Sequence, residues 1–237
     1  MSMTHRQRAI AALEQRVPDF IPTFELVFHE TERDLQGRTF YGQPFEPSSA
    51  GMSYLDIVKY NARLYVDVAR RYDHSIIFVN GTLRHHEPPG QNPFTTCTQG
   101  VLDTLKEIRA IAGDEFLLTC HNDPTFMIPF TNVEEFCTGF LMDPEAMHDK
   151  AQAQLEEGFE NCEKLLAAGA DGFILCCDYC TNSGPFISPT HFSEFIAPYL
   201  KTAVSEFRRH GAYVIKHTDG NIMPILDELL DAEPHAL

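Results

Sequence analysis

The stretch "GADGFILCCDYCTNSGPFISPTHFSEFIAPYLK", residues 169–201, contains one complete strand-to-helix unit. Before it, Met147, Ala151, Leu155, Phe159, Cys162 and Leu166 form one helical face, which Gly169 ends. That helix starts at Asp143-Pro144, an acid suited to N-capping followed by proline at the first helical position. "GFILCCD" (172–178) is a short apolar run closed by a carboxylate. It predicts a strand buried on both faces. Ser188-Pro189 repeats the cap-plus-proline signal and predicts a helix to about Arg209, kinked at Pro198.

Outward from this stretch the same alternation recurs. Thr4 caps a helix to about Arg16, and "FIPTFEL" (20–26) reads as a strand with Pro22 near its start. Leu55, Val58, Ala62, Tyr65 and Ala69 make a helical stripe after Ser53. "HSIIFVN" (74–80) and "FLLTCHN" (116–122) are strands, with a helix over about 101–112 between them that stops at Gly113. Gly211 precedes a fifth strand, "YVIKHTD" (213–219), and a last helix over about 222–232 leads to "PHAL". Five βα units of this kind predict an α/β protein with a parallel sheet covered by helices. The architectures that fit are an open doubly wound sheet and a (β/α)₈ barrel. No "GxGxxG" follows any strand, which weakens the dinucleotide-binding version.

The 237 residues, 43% hydrophobic, are enough for a sizeable core. A net charge of -16 argues against nucleic-acid binding. No window is apolar enough for a membrane span, and the N-terminus lacks the apolar core of a signal peptide. Seven scattered cysteines suggest free thiols in a reducing, cytoplasmic setting.

Polar residues close the strands: Glu25 then His29-Glu30, Asn80, His121-Asn122-Asp123, Asp178, and His217-Thr218-Asp219. In parallel α/β folds these carboxyl ends converge on the rim where substrates bind. We take His121, Asp178 and His217 as catalytic candidates. Glu25, His29, Asn80, Asn122, Asp123 and Asn182 are the substrate-binding candidates. His217 and Asp219 are two apart on a strand, so both point to one side. They suit a divalent metal such as zinc, or an acid/base pair. As metal ligands they need at least one more from the protein. Gly220 lets the chain turn tightly beside them. The C-x-x-C of Cys177 and Cys180 has no second pair for a zinc ribbon, and no helix starts at it as a redox motif requires. His85-His86 lies in a Pro- and Gly-bearing loop.

Four pieces together resemble the superfamily of uroporphyrinogen decarboxylase and the cobalamin-dependent methyltransferases: "THRQRAIAALEQRVPDFIP", "RYDHSIIFVNG", the 169–201 stretch and "HGAYVIKHTDGNIMPILDELLDA". The resemblance implies a (β/α)₈ barrel with its site inside the C-terminal rim. It implies either methyl transfer between a corrinoid protein and a small acceptor, or decarboxylation of a porphyrinogen in tetrapyrrole biosynthesis. Against the decarboxylase pattern, the first loop reads "FELVFHETERDLQGR", with Glu25, Glu30, Glu32 and Asp34 in place of arginines. Acids there would repel a polycarboxylate by roughly several kcal/mol in a partly dry cleft. Asn80 stands where the decarboxylase has an essential aspartate. In the methyltransferase branch an H-x-C pair binds zinc; here it is H-x-D, His217 and Asp219, and aspartate is a harder ligand. The family needs about three further βα units for closure. Residues 1–237 are therefore expected to form one barrel domain incomplete at its C-terminus. The expected partners are a small-molecule substrate, a corrinoid protein and a second copy of the chain. A non-catalytic partial barrel is the remaining alternative.

Overall fold

The computed structural model describes residues 3–26, 51–79, 97–129 and 132–237. The chain divides into two compact units, Met1–His121 with Lys164–Gly172, and Asn122–Glu163 with Phe173–Leu237.

In the first unit, α1 (His5–Leu13) begins with a capping box. Thr4 Oγ1 accepts from Gln7 N, and Gln7 Oε1 accepts from Thr4 N. Helix α2 (Tyr54–Arg71) is capped by Ser53 and buries Val58, Ala62, Tyr65 and Ala69 of the predicted stripe, with Ile57 in place of Leu55, which is exposed. Strand β1 (Ile76–Val79) is buried throughout. After α3 (Gln99–Ala112), strand β2 (Leu117–His121) pairs parallel with β1, from Ile76 opposite Leu117 to Val79 opposite Cys120. Residues 20–26 do not form the expected strand. Ser75 N donates to Thr23 O at 2.7 Å, a single bond rather than a ladder among the described residues. Pro22 has no N–H for a continuous ladder.

The entry to the next strand is pinned in the same unit. Gly169, at φ +108°, packs against the Arg109 side chain, and its carbonyl accepts from Arg109 Nε at 2.9 Å. Asp171 accepts from Arg6 Nη2 at 2.8 Å, from Leu118 N at 2.8 Å, and from Arg109 Nη2. Gly169-Ala170-Asp171, which opens the 169–201 stretch, is thus an arginine-bound corner.

In the second unit, α4 (Val133–Met142), which sequence reading did not anticipate, precedes α5 (Pro144–Ala167), whose last turn is counted in the first unit. Asp143 Oδ1 accepts from Ala146 N at 3.1 Å, so the predicted cap is present. Strands β3 (Gly172–Leu175) and β6 (Tyr213–Lys216) are neighbours in the sheet. His217 N donates to Leu175 O at 2.8 Å. Both strands end three residues before their predicted limits. A small antiparallel hairpin, β4 (Cys180–Thr181) with β5 (Gly184–Pro185), follows β3. The expected single helix after Ser188 is two, α6 (Pro189–Phe195) and α7 (Ala197–Arg209). The break falls at Ile196 because Pro198 cannot donate to the carbonyl four residues back. The last predicted helix is a short 3₁₀ turn, Met223–Ile225, running into α8 (Leu226–Asp231). Phe173 of β3 packs edge-on against Phe207 of α7 at 4.9 Å. Beyond α8, Ala236 bridges Ile215 in parallel, so "PHAL" lies along β6 as a following strand would.

Candidate functional site

Three residues past the end of β3 stands Asp178, and immediately after β6 come His217 and Asp219. His217 Nε2 lies 3.9 Å from Asp178 Oδ1 and 4.0 Å from Asp219 Oδ1. One ligand atom from each of the three falls within 4.8 Å of the others. Side-chain exposure rises from 34% at His217 through 44% at Asp178 to 78% at Asp219, so the cluster opens to solvent on the Asp219 side. Asp178 Oδ1 also accepts from Asp219 N at 2.9 Å. Tyr179 N donates to Thr218 Oγ1 at 3.1 Å. These two bonds lock the segment after β3 to the segment after β6.

Imidazole nitrogen and carboxylate oxygen are both ordinary ligands for zinc and other divalent ions. Around an ion of zinc's size neighbouring ligand atoms stand about 3.4 Å apart, so the 3.9 and 4.0 Å separations must close by about half an ångström and the widest, within 4.8 Å, by at most about 1.4 Å. Half-exposed side chains can do this by small rotations. The donor set therefore fits a divalent cation with one face left open.

Gly220 shows why glycine follows. Its φ is +92°, and a Cβ there would lie 2.7 Å from Cys180 C, Cys180 O and Thr181 O. Asn221 N donates to Thr181 O at 2.8 Å. The "DGN" turn is thus pressed against the backbone of the β4–β5 hairpin. Asn182 occupies the tip of that hairpin and is exposed.

Two substrate-binding candidates face the other way. Asn122 is buried, with its Nδ2 donating to Gly158 O at 3.0 Å. Asp123 has a fully buried side chain, 2.9 Å from the ammonium of Lys216, which is equally buried. Neither can touch a bound molecule without rearranging the core, so the structure moves both out of the substrate-binding set. The physical reason is that each carries hydrogen-bonding capacity the fold itself uses. Lys216 was missed altogether, although a lysine closing the apolar run "YVI" was a signal that a buried charge needed a partner.

His121 ends β2 in the first unit and is half-buried. Glu25, in the same unit, acts electrostatically on His74, whose imidazole burial pushes down and Glu25 pulls back up. His29, Asn80 and the His85-His86 pair lie outside the described residues, as do Glu30, Glu32 and Asp34.

The cysteines near the site are all free. Burial, reinforced by Asp123 and Asp178, pushes the Cys176 thiol up to about 12. Burial also pushes Cys177 well up and raises Cys180. A thiolate nucleophile or redox C-x-x-C needs the opposite shift. At pH 8 a group titrating near 12 is ionised in only about one molecule in ten thousand. Native protein treated with iodoacetamide at pH 8 should therefore keep Cys176 and Cys177 unmodified while the same reagent labels both in urea. Rapid native labelling of either, read by peptide mass spectrometry, contradicts this picture.

The uroporphyrinogen decarboxylase family model matches residues 94–237, a span that includes Asp178, His217 and Asp219. The chain belongs to the uroporphyrinogen decarboxylase family. Among solved structures, a methyltransferase from Methanosarcina mazei is similar in fold, with a TM-score of 0.69 at 16% sequence identity. The match covers 99% of this chain and 75% of that one. No curated protein sequence matches the chain. Family membership and the parallel α/β fold suggest an enzyme. Among the described residues no helix is long and apolar enough to cross a membrane.

Proposed function

We propose that this member of the uroporphyrinogen decarboxylase family is a methyltransferase-type enzyme that moves a methyl group between a corrinoid-carrying partner protein and a small acceptor. The observation that supports it is the grouping of Asp178, His217 and Asp219 on the two strand ends of the second unit. A divalent ion such as zinc, when bound there, would lower the pKa of an acceptor thiol so that it reacts as thiolate. The chain's own residues provide the rest. His217 presents Nε2 toward both carboxylates. Asp178 is oriented by the Asp219 amide. Asp219 lies on the solvent-open side, where an acceptor can enter. Family membership further leads us to propose a (β/α)₈ barrel architecture, residues 1–237 as one domain of it, and a cytoplasmic setting.

A second reading, decarboxylation of a porphyrinogen, is favoured by the family match itself. It is opposed by two exposed carboxylates at the site, which would repel a polycarboxylate.

The experiment uses purified protein, elemental analysis and titration with zinc. One zinc per chain is expected, with a dissociation constant raised at least tenfold by His217→Ala. Methylcobalamin and a small thiol should yield the thioether, and His217→Ala should suppress that turnover. Zinc that survives His217→Ala unchanged would place the metal elsewhere. Turnover of uroporphyrinogen at about 10 per second, the median for enzymes, would favour the second reading.

A further inference from the structure

We propose that Lys216 and Asp123 are positioning residues whose buried ion pair pins the chain from Cys176 to Tyr179 and so fixes where Asp178 stands relative to His217. The metal readout below rests on the metal site proposed above; the exchange readout does not.

The segment 176–179 belongs to neither strand nor helix. Tyr179 O accepts from Phe186 N at 2.9 Å, but the peptide groups of Cys177 are met by side chains. Lys216 supplies the missing donor. Its ammonium reaches Asp123 Oδ2 at 2.9 Å, Cys177 O at 2.9 Å and Leu175 O at 3.3 Å. Three acceptors match the three hydrogens of an ammonium. The ring of Tyr179 lies 4.2 Å from the same nitrogen. Asp123 supplies the missing acceptor. Its Oδ2 takes the Cys177 N–H at 2.9 Å. Its Oδ1 takes the Thr125 amide at 3.1 Å and the Thr125 hydroxyl at 2.6 Å. Both backbone polar groups of Cys177, the residue just before Asp178, are thus bound by this one pair.

The pair also sits at the root of the other ligands. Lys216 is the last residue of β6, and His217 is next in the chain. Alternation along an extended chain sends Lys216 into the core and His217 to the opposite side. The same few residues therefore receive the pin on one face and present the ligand on the other. A buried ion pair is a poor device for stability alone, since apolar residues of similar volume often do as well or better. It is a good device for holding a segment that has no secondary structure of its own, because it offers directed donors and acceptors.

The test compares wild type, Lys216→Met, and Lys216→Met combined with Asp123→Asn, the last of which leaves no lone charge in the core. Phe207→Leu, in the core of the same unit, is the control for plain destabilisation. Two quantities are measured: amide hydrogen exchange of the metal-free protein, and zinc affinity. We expect exchange at the Cys177, Tyr179 and Asp219 amides to rise at least tenfold in the double variant, and zinc affinity to fall at least tenfold. The control should lower the melting temperature without changing either local quantity. Unchanged exchange at those amides in the double variant overturns the proposal, whatever the metal does. A wild-type chain that binds no zinc removes the metal reading alone, and the exchange comparison then decides the positioning role. Affinity that falls equally in Phe207→Leu also overturns it, because the pair would then be acting only through overall stability.

Discussion

Replacing Gly220 by alanine is expected to lower stability by about 3–5 kcal/mol, through backbone strain and overpacking together. The left-handed φ of +92° is one part and is expected to contribute about 1–2 kcal/mol for a residue with a side chain. The larger part is steric. The new Cβ would sit 2.7 Å from three backbone atoms of Cys180 and Thr181. Backbone atoms in a hydrogen-bonded hairpin cannot rotate away as a side-chain tip can. The "DGN" turn must lift off, and the bond from Asn221 N to Thr181 O stretches with it. In a protein of this size each kcal/mol lowers the melting temperature by about 2–4 °C, so a fall of about 6–20 °C is expected. Gly211 is the internal comparison. It has a similar φ of +81° but nothing within 4 Å of its would-be Cβ, so Gly211→Ala should lose only the strain, about 1 kcal/mol. Equal losses for the two variants in thermal unfolding would show that the hairpin does not press on Gly220.

The second large effect is expected at the arginine-bound corner of the first unit. Asp171→Ala should destabilise by about 2–4 kcal/mol, the range for removing one member of a partly buried charged network. The carboxylate accepts from two guanidinium groups and from Leu118 N. Only 12% of its side chain is exposed, so water cannot readily replace it. Arg109 keeps partners in Gly169 O and Phe116 O, which limits the loss on its side. Asp171→Asn, which keeps one acceptor, should fall between alanine and wild type. Urea midpoints give the comparison. An alanine variant within about 0.5 kcal/mol of wild type, the usual range for surface changes, would mean that the corner is held by the Gly169 packing and not by charge.

These two sites differ in how readable they were. Gly220 was legible as a tight turn, because glycine after a strand end is a local signal, but the hairpin it meets was not foreseen. Asp171 was legible only as one residue of the 169–201 stretch. Its partners, Arg6 and Arg109, are 165 and 62 residues away in the chain. The functional candidates divide in the same manner. Asp178, His217 and Asp219 were chosen as polar strand ends, and the structure groups them. Asn122 and Asp123 were chosen by the same rule, yet both side chains turn inward.

What the sequence by itself determined is local. Thr4, Ser53, Asp143 and Ser188 each receive a backbone N–H from three residues on, and each was read as a helix start from residue type and spacing alone. Short apolar runs marked β1, β2, β3 and β6, because a buried strand has few other compositions open to it, but they also marked 20–26, which forms no strand, and missed the β4–β5 hairpin. Tertiary structure alone decided which polar strand-end residues face outward. Asp123 is buried because Lys216, 93 residues later, brings a charge into the core beside it. A charge in the core must be paired, and no period or cap in the sequence says with whom.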